Sequence, residues 1–362
     1  MILSSIIFFV LAISLPNDNF ISVENPKPFL HYSTAHEQLF LAHKDENVTY
    51  LKQLDADRKE LHRIGIIHDT GRPLHDFDIS ISNSYAMVKR ESASHPGLSK
   101  LKFLSLQKDH TEKTPPDTVQ DDTIGRGLYH LVNDSTLYVI RRTGGLFENY
   151  MSALYPLDAE TGLLRGDALP LFSFEDNPHW ENIISQDKYR MKAVSNETGT
   201  TCSIFMFASW LLCSKSDGSE LFATFEPDQR HFPELEYRVE NGVRLYTFPS
   251  PPDDTVQNID LAVDSRHVYV LASGEEITRF EMRRAGLSAM ASGQSISALE
   301  YATVSDRIDV YHKSDGEYLG RFTLPNQARA LTVSEEHLIV LEDDDEEGIG
   351  WIPKSEIFNE ID

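Results

Sequence analysis

The sequence predicts an all-β modular array, on three observations: a short apolar run recurs along the chain, turn-forming residues punctuate it at hairpin spacing, and long helix-forming stretches are few. The run Val268-Tyr-Val-Leu271 returns as Leu338-Ile-Val-Leu341 and Leu137-Tyr-Val-Ile140, and in weaker form as Ala86-Met-Val-Lys89. Leu39-Phe-Leu-Ala42 and Phe205-Met-Phe-Ala208 are two further members. Starts at 39, 86, 137, 205, 268 and 338 give steps of 47, 51, 68, 63 and 70 residues. Periods of that size mark repeat architectures, in which each unit is one supersecondary module.

Each run belongs to a longer unit. Val256 to Leu271 reads as an alternating strand, the polar turn Asp264-Ser-Arg266, and a second strand; Asn326 to Leu341 matches it without a gap. Period-two alternation on both sides of turn chemistry is a hairpin signal. A second hairpin type pairs Trp210–Phe225 with Ile308–Phe322 around a shared Lys-Ser-Asp-Gly. Gly supplies the positive φ that such a turn needs, and Asp bonds the turn backbone. Tyr155–Leu164 is a third copy, and Leu54–Leu61 a degenerate fourth. The second hairpin is obscure around Leu101–Leu106, and Glu275 to Ala298, longer than one strand needs, reads as a surface insertion.

Two hairpins per repeat make four strands, and six repeats make a ring. In this the chain resembles the six-bladed β-propellers, especially the NHL-like and related bacterial exported propellers, over roughly residues 27 to 358. The resemblance implies blades of four antiparallel strands, with seven blades as the alternative count and an open β-solenoid as the competing array. The Trp-Asp ending of WD40 blades, the Tyr-Trp-Thr-Asp blade motif and the full sialidase Asp-box are absent. Ring closure buries both faces of each blade and leaves few sheet edges. The first and last segments are expected to complete one blade together.

Composition narrows the class. The chain has 362 residues, 40% of them apolar, with 19 Phe and 14 Tyr, enough for a large core. A net charge of −24 opposes the basic footprint of a nucleic-acid binder and adsorption to anionic lipid. Residues 2 to 15 form an apolar run shorter than the ~20 residues that span a bilayer, and Pro16 breaks it. Its length suits a signal-peptide hydrophobic region, although no Lys or Arg precedes it and no clean small-x-small site follows. Residues 1–19 therefore read as a signal peptide or N-terminal anchor, the anchor being the one route to a membrane, and 20–362 as a single propeller domain of an exported protein. The sequons at Asn47, Asn133 and Asn196 are about as many as chance provides.

Cys202 and Cys213 are the chain's two cysteines, which rules out a four-Cys zinc site. They flank an apolar hairpin centred near Ala208, whose cross-strand pairing brings them together. An exported protein would oxidise them; two buried thiols are the alternative.

Alignment of the repeats supplies the candidate site. In the register of Gln257 stand Gln327, His75 and Arg126, with Lys188 aligned less tightly. In a propeller the residue just before the innermost strand lies near the channel mouth, so these five side chains would face one another there. Arg and Lys in such a ring would hold an anionic group; loops before strands are, however, polar in general. Trp180, in the long loop Phe174 to Gln186, offers a peripheral stacking surface for a glycan. The acidic run Glu342–Glu347 lacks the alternating spacing of a calcium loop and reads as a solvated hairpin tip. No metal-ligand His spacing and no Gly-x-Ser-x-Gly appears, and no motif asks for a cofactor. The expected function is thus a non-catalytic extracytoplasmic binding module or scaffold for a protein, peptide or glycan. A propeller hydrolase or lyase acting at the channel mouth is the alternative.

Overall fold

The structure, a computed structural model, describes residues 29–34, 36–45, 48–55, 59–67, 78–91, 99–106, 127–142, 150–158, 163–165, 167, 169–173, 191–205, 208–215, 217, 220–225, 236–240, 243–247, 258–273, 304–343 and 348–361. Among them the elements are strands, apart from one helix near the C-terminus.

The strands form antiparallel meanders, one after another. Blade 1 holds β1 (Leu30–Ser33), β2 (Gln38–Asp45), β3 (Val48–Leu54) and β4 (Glu60–Ile67), paired in that order. Blade 2 shows β5 (Asp78–Ile81), β6 (Tyr85–Glu91) and β7 (Ser99–Ser105). Blade 3 contains β8 (Gly127–Asn133), β9 (Thr136–Arg142) and β10 (Tyr150–Asp158), with β11 (Leu163–Leu164) and β12 (Leu169–Ser173) sharing the far edge of β10. Blade 4 contains β13 (Met191–Ser195), β14 (Thr201–Phe205), β15 (Ala208–Ser214) and β16 (Glu220–Phe225). A separate hairpin follows, β17 (Glu236–Glu240) with β18 (Val243–Thr247).

Blades 5 and 6 share one long strand. Blade 5 starts with β19 (Asn258–Val263), β20 (His267–Ala272) and β21 (Ser305–His312). Then β22 (Tyr318–Val333) pairs with β21 through its first half and with β23 (His337–Glu342) through its second. It is thus the outer strand of one blade and the inner strand of the next, and Ala328 belongs to both ladders. β24 (Ile349–Pro353) extends blade 6, and α1 (Lys354–Ile361) ends the described chain. No described helix is long and apolar enough to cross a membrane.

Packing explains the repeated run. Successive residues of a strand point to opposite faces, and here both faces are covered. Leu39 and Leu41 of β2 pack against Ala330, Ile339 and Leu341 of blade 6. Phe40 between them packs against Ile81, Ala86 and Val88 of blade 2. In the same way Val268 and Val270 face Cys202 and Leu211 of blade 4, whereas Tyr269 and Leu271 face Leu338 and Val340 of blade 6. A second strand buried on both sides has no polar side to show, so its sequence is continuously apolar. Each such side chain contributes about 2 kcal/mol by burial.

Met87, Leu101 and Phe103 join blade 2 to Tyr129, Leu137 and Val139 of blade 3. Blade 3 meets blade 4 where β8 contacts β13. Packing among the described residues therefore passes from one sheet to the next and returns to the first: the fold is an all-β propeller. The hairpin β17–β18 does not separate blades 4 and 5, because β13 touches β19 directly.

The second hairpins also form as expected. Leu157 pairs with Leu164, Leu54 with Glu60, Trp210 with Phe225 and Ile308 with Phe322. In the last of these, Gly316 takes φ 75° in the turn and Asp315 Oδ1 accepts the Glu317 N–H. Two readings change. Phe205–Ala208 is not a second strand of its blade: that role belongs to Thr201–Phe205, and Ala208 already opens β15. Ser203 within that strand hides the run from an apolar search. The C-terminal segment also adds a helix to a chain read as strand throughout. Ile357 of α1 is buried, with Phe358 and Ile361 packed beside it, at helical spacing after Pro353. The surface insertion expected at 275–298 lies outside the described residues, as do residues 1–28, on which the expected sharing of a blade by the first and last segments depends; β1 itself pairs with β2.

Candidate functional site

The turns between first and second strands share one end of the ring. At one end the first strand of each blade turns into the second within a few residues: Thr34–Glu37, Ser82–Ser84, Asp134–Ser135, Asn196–Thr200, Asp264–Arg266 and Ser334–Glu336. These turns are held by hydrogen bonds. Asn196 Oδ1 accepts from the Thr198 and Thr200 N–H groups and the Thr198 hydroxyl, while its Nδ2 donates to the Asp264 carbonyl of blade 5 at 2.8 Å. Asn133 Oδ1 accepts from Ser135 N–H and hydroxyl. The stretches 68–77, 107–126, 174–190 and 274–303, and all of 226–257 but β17 and β18, lie outside the described residues.

The expected ring has five members, His75, Arg126, Lys188, Gln257 and Gln327. Of its members Gln327 is described: it is exposed, just past Pro325, and its carbonyl accepts the Asp343 N–H at 2.7 Å. Beside it Arg329 forms an ion pair with Asp343. His75, Arg126, Lys188, Gln257 and the peripheral Trp180 lie outside the described residues.

Near the axis, polar side chains on the inner strands are bonded to the next blade. Ser80 Oγ accepts the Leu131 N–H at 2.8 Å, joining blades 2 and 3. His130 Nε2 lies 3.0 Å from Ser195 Oγ, which is 2.7 Å from Thr201 Oγ1, joining blades 3 and 4. Asp260, 1% exposed, accepts Leu261 N–H at 2.6 Å and the blade 6 Leu331 N–H at 2.9 Å. Thr332 Oγ1 accepts the Tyr32 N–H at 3.0 Å, joining blade 6 to blade 1. Buried backbone N–H groups need such partners. Chemically these groups tie the sheets together.

Blades 5 and 6 each contribute to buried charged pairs. Asp309 is fully buried and accepts a two-point grip from Arg321, Nε at 2.7 Å and Nη2 at 2.9 Å. At the tight-turn end Asp264 accepts Lys354 Nζ at 2.6 Å, Tyr269 OH at 3.1 Å, and the Arg266 and His267 N–H groups at 2.7 Å each. Burial alone would raise the Asp264 carboxyl; hydrogen bonds from His267, Lys354 and the two backbone groups hold it well below the usual range. The Tyr269 hydroxyl is pushed up by burial and by the Asp264 charge. His267 packs on Phe358, ring centres 4.5 Å apart, so α1 is fastened to the turn of blade 5. At its far end α1 approaches closely: a Cβ on Gly320 would lie 2.8 Å from Ile361 Cβ.

Cys202 and Cys213 face each other across β14–β15, both buried, with their sulfurs 2.04 Å apart in a disulfide. Among the described residues no three His, Cys, Asp or Glu side chains converge as a metal site would require.

No protein-family model and no curated protein matches this chain. Solved structures similar to it include the mitotic checkpoint complex, at 9% identity and a TM-score of 0.45 over 96% of this chain and 84% of that one. Another is the β-propeller domain of Cps50 (Swd1) from Myceliophthora thermophila, at 8% identity and a TM-score of 0.43 over 93% and 99%. A third is the calcium-binding protein regucalcin from Agrobacterium tumefaciens, at 12% identity and a TM-score of 0.42 over 92% and 93%. The propeller assignment rests on this chain's own sheets and on the order in which they pack.

Proposed function

We propose that the chain is a six-bladed, NHL-like propeller acting outside the cytoplasm as a non-catalytic binding module. It recognises a protein, peptide or glycan with the loop-built end around the axis. The observation that carries this reading is a ring of sheets closed at one end by short, hydrogen-bonded turns. That leaves the opposite end to present a ligand, and binding residues concentrate on loops held by a rigid scaffold. The charged and polar groups described near the axis act on neighbouring blades, which fits a platform. The buried disulfide and the apolar run at residues 2–15 support export. On this reading His75, Arg126, Lys188, Gln257 and Gln327 line the mouth, with Trp180 outside them.

A thermal-shift screen with small anions, sugars, calcium and chelator tests the proposal on the wild type and an Arg126→Ala, Lys188→Ala double variant. A ligand at a hundred times its Kd adds about 2.7 kcal/mol of stability. A shift with an anion or glycan that the double variant loses is the expected result. A fall in melting temperature with chelator alone would replace the proposal by a metal-dependent hydrolase or lyase.

A further inference from the structure

The outer edge of blade 3 holds more chain than its ladder needs. β10 pairs Leu157 with Leu164 of β11, and Leu154 with Leu169 of β12. Between those two rungs β10 advances 157 − 154 = 3 residues and its partner 169 − 164 = 5, so two residues are extra. The Arg165 N–H still donates to the Pro156 carbonyl at 2.8 Å, which places the surplus between Arg165 and Leu169. Extra residues on an edge strand break its alternation and re-aim the side chains beside them.

The chain at this break reads Arg165-Gly166-Asp167-Ala168; Gly166 and Ala168 lie outside the described residues. Arg165 and Asp167 are both exposed, the Arg165 side chain to 70%. Leu169 beside them is one of two exposed large apolar side chains among the described residues. The two acidic groups of blade 5 described above are held by several donors each, whereas Asp167 takes no hydrogen bond or ion pair among the described residues. Arg165 is paired with Asp158. A pair so exposed contributes little and exchanges readily for another partner.

We propose that Arg165-Gly166-Asp167, with Leu169, is a docking surface for a receptor domain that presents a bound divalent cation beside an acidic pocket. The unpartnered Asp167 carboxylate supplies oxygen to the cation, which is the donor that hard cations take. The Arg165 guanidinium leaves Asp158 for the carboxylates of the pocket, where its planar fork allows a two-point grip. Glycine between the two charges carries no side chain to hold the receptor surface away. Leu169 adds apolar area that leaves water on contact. The ladders to β10 on either side hold the segment in place, so little ordering remains to be done on binding. Arg-Gly-Asp is also the tripeptide that cation-dependent adhesion receptors of the integrin type read. This surface lies on the outermost strand of its blade, away from the axis and so from the proposed mouth. Its use outside a cell rests on the export reading, whereas the surface itself does not.

Surface plasmon resonance on the purified full chain tests the proposal, with an Arg-Gly-Asp-binding integrin ectodomain in Mn²⁺ as the probe. Saturable binding is expected, lost when EDTA replaces Mn²⁺ and competed by a Gly-Arg-Gly-Asp-Ser peptide. Asp167→Glu keeps the charge but moves the carboxylate by one methylene. It should weaken binding roughly tenfold or more with the melting temperature unchanged. Arg165→Lys, which keeps the charge and loses the fork, should weaken it as well. No binding by a receptor preparation that binds the peptide would overturn the proposal, as would equal binding by the wild type and Asp167→Glu. Binding by a chain that cells fail to export would support the surface and count against the export reading alone.

Discussion

The seam between blades 2 and 3 and the seam between blades 5 and 6 do the same work with different chemistry. In the first, a neutral hydroxyl, Ser80, accepts one backbone N–H from the next inner strand. In the second, a buried carboxylate, Asp260, accepts two, one of them across the seam. The charged seam is accompanied by the Arg321 grip on Asp309 and by the Lys354 clasp on Asp264. A carboxylate gives stronger hydrogen bonds than a hydroxyl, but it must never lose a partner. Blades 5 and 6 therefore depend more steeply on single residues and on pH than blades 2 and 3.

Removing the carboxylate should show this most sharply. Asp260→Ala leaves the Leu261 and Leu331 N–H groups buried without their acceptor, at a cost of about 3 kcal/mol. Urea denaturation should give a lower midpoint with an unchanged slope; a loss no larger than that of a surface substitution would refute the contrast.

Next in size is the clasp. Lys354→Met should cost about 2 kcal/mol at neutral pH, as expected for a charged hydrogen bond. Because the folded Asp264 carboxyl lies below its unfolded value, its stabilisation is present above roughly pH 4 and is lost as pH falls through the folded value. The gap between wild type and variant should accordingly narrow as denaturation is followed into strong acid. A gap that stays constant would mean that Lys354 acts through packing alone.

Ser80→Ala should have the smallest effect, about 1 kcal/mol for one orphaned N–H, with no pH dependence across the same range. A loss equal to that of Asp260→Ala would erase the distinction between the two seams.

The fold was largely legible because propeller blades write themselves into sequence. Val268–Leu271 and Leu338–Leu341 are apolar at every position since both faces of a second strand are buried, and Asp315-Gly316 marks a turn that needs positive φ. Blade 4 was misplaced by three residues because Ser203, buried at 1% exposure, looks polar in a search for apolar runs. The inner polar bridges were not found, yet a signal existed: Asp260 and Asp309 each interrupt an otherwise apolar strand, and an ionisable residue at such a position needs a partner. Their partners, Leu331 N–H and Arg321, follow from three-dimensional register that local pattern does not state. Helix α1 escaped because Lys354–Ile361 is short and carries few apolar residues. For the candidate ring the description reaches Gln327, so the mouth as a group of five remains the proposal made above.

The bond from the Tyr32 N–H to Thr332 Oγ1 joins residues 300 positions apart, and the surface of blade 1 beneath it is covered by Ala330, Ile339 and Leu341. While the chain is being made, blade 1 has no neighbour on that side until Ala330, Ile339 and Leu341 have left the ribosome. Closing a loop of that span is a late event. Until then the apolar flank of blade 1 is without its cover.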